Sequence, residues 1–192
     1  MNFLVAGLLL FLGIHSVSIV APRARDRWAR SMGPNLWRAV YSTVAVVGFV
    51  LLVRGYAAAR AEPVVLYVPP GWGRHVTMLL MLPVFVMLFA AYLPGRIKSA
   101  LKHPMLVAVK LWATAHLLAN GMLADVLLFG GFLAWAVVDR ISLKRRPARP
   151  VPGAAPSRWN DLFAVLLGLA AYVAFVLWLH PKLIGVPVIM PR

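Results

Sequence analysis

The chain of 192 residues contains no cysteine and only five acidic residues. Without cysteine there are no disulfides, no thiolate-ligated zinc, no iron–sulfur cluster and no covalent c-type haem. With so few acids, hydrolytic metal chemistry is poorly supplied, since it normally wants three ligands and a carboxylate base; HExxH is also absent. Basic residues are missing from the start of the chain, where the first is Arg23. A cleaved signal peptide wants positive charge before its apolar stretch. The opening segment therefore reads as a retained span with its N-terminus outside.

What is abundant is apolar surface. Hydrophobic residues make up 62% of the chain, with a mean hydropathy of +0.83; a water-soluble domain is nearer half apolar. Six apolar segments stand out, at about 3–20, 39–53, 76–93, 105–120, 123–139 and 162–180. A bilayer crossing needs about 20 such residues, so the length allows six spans and no separate soluble domain. The second and fourth segments are short for a span, which leaves tilt, extension or a re-entrant hairpin open. The expected fold is all-α: a polytopic transmembrane helical bundle of about six spans, one membrane domain over 1–192.

The chain carries 20 Lys and Arg, for a formal charge of +15. In a soluble protein that excess would suggest nucleic acid. Here the charges fall between the apolar runs, so they read as topology signals and no nucleic-acid partner is expected. Fourteen follow the first, third and fifth segments, and five lie on the other side: Arg54, Arg60, Arg74, Lys182 and Arg192. Lys110 lies within the fourth segment. The positive-inside rule puts the fourteen in the cytoplasm and both termini in the periplasm, in a bacterial inner membrane. Residues 142–158, SLKRRPARPVPGAAPSR, read as a basic, Pro-rich cytoplasmic linker near anionic headgroups. The outer loop 63–75, PVVLYVPPGWGRH, is apolar and aromatic, and is expected to lie against the bundle as a lid, with Tyr67 and Trp72 at the interface.

An ionisable side chain inside a bilayer is a functional candidate by default. Asp125, in the first turn of the fifth helix, meets a helix dipole, and Asp139 sits beside Arg140; both read as structural. Lys110 either snorkels to the headgroups or holds a carboxylate such as a haem propionate. His116 shares a helical stripe with Val109, Trp112 and Asn120. Beside it Ala108, Ala115 and Ala119 allow another helix to approach closely. His15 lies deep in the first span with Phe11 and Ser18 on its face. Two neutral imidazoles on separate helices suit a bis-histidine haem b; a divalent metal fits the residue supply less well, for want of a third ligand and a carboxylate base, and plain interhelical hydrogen bonding is the structural alternative. His103, His75 and His180 sit near segment ends; His75 is the rival partner for His116 on the outer side. Straight helices place His15 and His116 about 10 Å apart in depth.

The run His103-Pro104-Met105-Leu106, Lys110-Leu111-Trp112-Ala113 and Ala115-His116-Leu117-Leu118-Ala119-Asn120-Gly121 resembles the NnrU family of bacterial membrane proteins. So do LADVLLFGGFLAWAVVD (123–139), Leu12-Gly13-Ile14-His15-Ser16, the outer loop 63–75, and His180-Pro181-Lys182-Leu183-Ile184-Gly185-Val186-Pro187. The likeness covers nearly the whole chain. It implies a role supporting nitrite and nitric oxide reduction in denitrification. The family is similar to the ζ-carotene isomerase of plants and cyanobacteria, which carries a non-covalent haem b. The histidines there that match His15 and His116 are its proposed axial ligands, and His103 is retained. A fainter likeness to isoprenylcysteine carboxyl methyltransferases rests on a His-Pro before a Trp-containing helix. The absence of acids after residue 180 speaks against methyl transfer.

Three functions follow as expectations. The first is a haem-b protein handling nitric oxide or electrons for denitrification proteins. Its iron is held by His15 and His116, its propionates by Arg23, Arg25 or Lys110, and Trp112 and Asn120 line the site. His75 and His103 are weaker ligand candidates. The second is a haem-dependent cis–trans isomerase of a polyene, a hydrophobic small molecule from the bilayer. The third is a non-catalytic assembly factor without cofactor.

Overall fold

The computed structural model describes residues 1–147, 149 and 151–189. Arg192, and Ala148 and Pro150 of the 142–158 linker, lie outside them. Helix accounts for 76% of the chain. The nine α-helices among the described residues are α1 (Asn2–Val20), α2 (Pro22–Met32), α3 (Pro34–Ala61), α4 (Gly73–Ala90), α5 (Arg96–Leu101), α6 (Pro104–Ala119), α7 (Leu123–Ser142), α8 (Asn160–Ala174) and α9 (His180–Ile184). Prolines open several of them. Pro22, Pro34 and Pro104 sit at first-turn positions, where a missing N–H costs nothing. Between α2 and α3, Gly33 takes a φ of 78° that side-chain-bearing residues rarely adopt. A π-helical turn, Phe175–Leu179, joins α8 to α9. Pro181 follows it, and a proline ring crowds the carbonyl four residues earlier, here that of Leu177.

Among the described residues, four helical stretches are long and apolar enough to cross a membrane: α1, α3, α4 and Asn160–Ile184. α6 is apolar but has only 16 residues, and α7 has 20 but carries Asp125, Asp139 and Arg140. The sequence segment 39–53 extends at both ends into the 28 residues of α3, which removes its apparent shortness. The basic stretch after the first span is not a loop. Residues 22–32 form α2, a helix whose Arg23, Arg27 and Arg30 share one face and whose Ala24, Trp28 and Met32 share another.

The chain packs as two compact units. The first comprises Met1–Gly71 with His116–Ala148. Here α1 and α3 run antiparallel in close contact. A Cβ at Gly7 would stand 2.5 Å from the Leu52 nitrogen, and one at Gly48 would stand 2.7 Å from the Phe11 nitrogen. Small residues allow such backbone approach, which is how helices gain contact in lipid. Leu4, Leu52, Ala59 and Ala124 form the core of this unit, flanked by Phe11, Tyr56 and Phe132.

The second unit comprises Trp72–Ala115 with Arg149–Arg192. α4 and α8 run antiparallel, with Gly168 against Val86, and Tyr172 donates its O–H to the Met78 carbonyl at 2.9 Å. Val84, Met87 and Ala108 form its core. The Pro-rich segment is non-helical over residues 151–156, as its composition implies, but it is docked rather than a free linker. Ala154 N–H donates to the Tyr92 carbonyl at 2.9 Å, and the Asn160 amide donates to the carbonyls of Pro94 and Ala155. Asp161 accepts the backbone N–H groups of Arg96 and Ile97 at the start of α5.

Candidate functional site

The first unit gathers the polar and aromatic chemistry. His15 is half-buried on α1, one turn from Phe11. Its Nδ1 lies 2.6 Å from the Phe11 carbonyl oxygen. A carbonyl only accepts, so Nδ1 carries a proton, and in the neutral imidazole the lone pair is then on Nε2. Three rings enclose the imidazole: Phe11 at 4.3 Å, Tyr41 edge-on at 5.3 Å and Trp135 edge-on at 6.0 Å between centroids. A backbone acceptor that fixes one nitrogen and frees the other is the arrangement that orients metal-ligating histidines.

Beyond Tyr41 lies a cavity of ≈ 340 Å³ between α2 and α3, lined by Arg25, Trp37, Arg38, Tyr41 and Ser42. The Arg25 guanidinium stacks over Trp37 at 5.4 Å and pairs with Asp26 at 3.1 Å. On α7, Asp139 lies one turn after Trp135. Its carboxylate pairs with Arg146 rather than with the adjacent Arg140, at 2.6 Å, with both side chains nearly buried. The turn after α7 folds back to make this pair, through Arg145 and Arg146 N–H donating to the Ser142 carbonyl. The indole Nε1 of Trp135 and the Nη1 of Arg146 are buried donors without an acceptor.

His116 lies elsewhere in the unit. Its ring stacks on Phe129 at 4.6 Å, and Phe129 in turn meets Tyr56 at 6.3 Å. Tyr56 donates to Asp125 Oδ1 at 2.6 Å, while Asp125 Oδ2 accepts the Met122 backbone N–H at 2.9 Å. Asp125 thus closes the first turn of α7, as its position near the helix dipole suggests. The outer loop does lie down on this end. Val65 bridges Met122, Leu66 and Tyr67 N–H both donate to the Gly121 carbonyl, and the Tyr67 hydroxyl reaches the carbonyls of Leu117 and Asn120. Partial burial pushes the Tyr67 phenol above its ordinary pKa, and the Asp125 charge adds to that.

The two histidines contact different residues of α7. Along α7 their contacts, Trp135 and Phe129, are six residues apart, about 9 Å at the α-helical rise. Phe11 and Phe132, in contact at 5.6 Å, lie on the elements between them. Two nitrogens on one iron stand on the order of 4 Å apart, if each bond is about 2 Å as in zinc–imidazole sites. The surroundings of His15 fit an iron ligand there: a backbone acceptor on one ring nitrogen and three rings around the imidazole.

The other candidates have separate positions. Trp112 packs against the core of the second unit, and Lys110 is half-buried in the same part of α6. The Asn120 amide donates to the His116 carbonyl at 2.8 Å, closing the end of α6. His75 is exposed in the first turn of α4 and His103 precedes α6, both in the second unit. Among the described residues, no three His, Cys, Asp or Glu side chains gather as a metal site. The sequence reading missed the Asp139–Arg146 pair and the Asp161 cap. The second had a signal, an Asn-Asp at a helix start.

Several long apolar helices and a polar site built among them define a multi-pass membrane protein. The sequence matches the family model described as NnrU protein over residues 3–188. The chain belongs to the NnrU family. No curated protein and no solved structure matches it.

Proposed function

We propose that this chain is a six-span protein of the bacterial inner membrane, N-terminus periplasmic, that supports nitrite and nitric oxide reduction by holding haem b at His15. α6 and α7 complete the six spans with the four long apolar stretches, and the excess of cytoplasmic-side arginine and lysine sets the orientation. Denitrification is what family membership is consistent with. The observation that carries the cofactor is the His15 imidazole, its Nδ1–H held by the Phe11 carbonyl and its Nε2 left as a donor in an aromatic enclosure.

In this reading Phe11 O orients the ring, while Phe11, Tyr41 and Trp135 keep water from the nitrogen. A haem b held by His15 would supply an iron that can ligate nitric oxide. His116 has a packing role, because its ring lies on Phe129 well away along α7.

The test is the visible spectrum of the full-length protein, purified in mild detergent after expression with ample haem. A Soret band that shifts on reduction and again on adding nitric oxide is expected. A flat visible spectrum would sink the reading and leave an assembly role. The orientation is checked separately by single cysteines, for which the cysteine-free chain is a ready background. Labelling from the cytoplasm is expected at 98 and 144 and not at 68.

A further inference from the structure

The cavity between α2 and α3 is not needed to ligate iron, and its lining has a chemistry of its own. Arg25, Arg38, Tyr41 and Ser42, all with hydrogen-bond donors, are among its lining residues. Donors outnumber acceptors there. Five arginines, at positions 23, 25, 27, 30 and 38, share this region with one carboxylate, Asp26. A guanidinium recognises phosphate through two parallel hydrogen bonds, and two arginines around one small cavity suit a tetrahedral anion. Arg25 stacks over the Trp37 ring and pairs with Asp26, so a phosphate there competes with a single carboxylate.

The surroundings say what carries the anion. On α3, Leu36 is 56% and Val40 39% exposed, and on α2, Trp28 is 44% exposed. A free phosphate would use the arginines alone. An amphiphile would use the arginines for its headgroup and the bare aliphatic surface of α3 for its chains. α2 is itself built as an interfacial helix, basic on one face and apolar with a tryptophan on the other. From this juxtaposition we infer that the α2–α3 cavity binds the phosphate headgroup of an anionic phospholipid. Arg25 and Arg38 grip the phosphate, and the acyl chains lie along α3. The inference is independent of haem at His15.

The test uses the full-length protein, delipidated in neutral detergent and presented with phosphatidylglycerol or phosphatidylcholine, with bound lipid counted by native mass spectrometry. One phosphatidylglycerol is expected to be retained under conditions that strip phosphatidylcholine. Arg25→Gln/Arg38→Gln should lower that retention about tenfold, the order expected for losing two charge-assisted contacts. Arg23→Gln/Arg27→Gln removes equal charge outside the cavity and should leave retention near wild type. Arg38→Lys, a milder change that keeps the charge, should fall between. Equal retention of the two lipids by the wild-type chain would overturn the site, whatever the variants do. Equal loss in the two double variants would reduce it to general surface attraction and overturn it too. Displacement of the lipid by millimolar inorganic phosphate would overturn the lipid assignment.

Discussion

The two units of this chain satisfy their buried polar groups in different ways. The first, beside side-chain bonds to backbone carbonyls of its own, also pairs side chain with side chain: Tyr56 with Asp125, Arg146 with Asp139. In the second, side chains reach backbone carbonyls. Thr77 donates to Ala115, Tyr172 to Met78, Asn160 to Pro94 and Lys98 to Ala91. At Ala91 and Pro94 this satisfies backbone acceptors that the end of α4 and the following turn leave open. The first concentrates charge and aromatic rings around one end of α7 and around His15. A unit of the first kind costs more to perturb, because removing one partner strands a charge in low dielectric. It is also the kind that carries function inside a membrane.

Breaking one charged contact in each unit should expose that difference most strongly. Asp139→Ala leaves the Arg146 guanidinium nearly buried and unpaired, and is expected to cost about 3–5 kcal/mol. Asp161→Ala, which removes only the cap on α5, is expected to cost about 0.5–2 kcal/mol. Denaturant titration of the two variants in the same detergent decides it, and equal losses would undo the contrast.

Next in size is the strap over the α6–α7 turn. A Cβ at Gly121 would run into the Tyr67 carbonyl. Gly121→Ala should therefore destabilise by about 1–3 kcal/mol and open residues 63–70 to limited proteolysis. Protection unchanged from wild type would mean the strap does not depend on that approach.

A pair of hydroxyl deletions gives a finer comparison. Tyr56→Phe removes a hydrogen bond to a carboxylate and should cost about 1.5–3 kcal/mol, whereas Tyr172→Phe removes a neutral one worth about 0.5–1.5 kcal/mol. Unfolding midpoints in one detergent read both. The reverse order would contradict the division between the units.

The smallest expected effect is a pH dependence. Tyr67 is neutral in both folded and unfolded chains below its ordinary pKa of about 10. Its contribution to stability is complete there. Above that value the unfolded chain ionises first, so the contribution is lost as pH rises from about 10 through the raised folded value. Tyr67→Phe should flatten this part of the stability profile, and an unchanged profile would show that another group sets it.

Much of the helical layout was legible in the sequence, because an apolar run long enough to cross lipid leaves few alternatives. The ends of α3 were not, since Arg54 and Arg60 look like loop charges; in the structure Arg60 lies over the Tyr56 ring. α2 was hidden for a related reason. Its arginines dominate the reading, although Pro22 at its start and the spacing of Ala24, Trp28 and Met32 were available. The Phe11–His15 contact follows from four-residue spacing, whereas the enclosure by Tyr41 and Trp135 depends on tertiary packing. Asp139 was matched to its neighbour Arg140, because no local rule foresees a turn that returns Arg146 to it.

The central claim is that His15, and not His116, presents a ligating nitrogen. Its most direct test is the dithionite-reduced spectrum of the wild-type protein beside His15→Ala and His116→Ala, each purified with equal haem supply. The account predicts that the haem bands vanish in His15→Ala and persist, still responsive to nitric oxide, in His116→Ala. Loss of the bands in His116→Ala with retention in His15→Ala would contradict it.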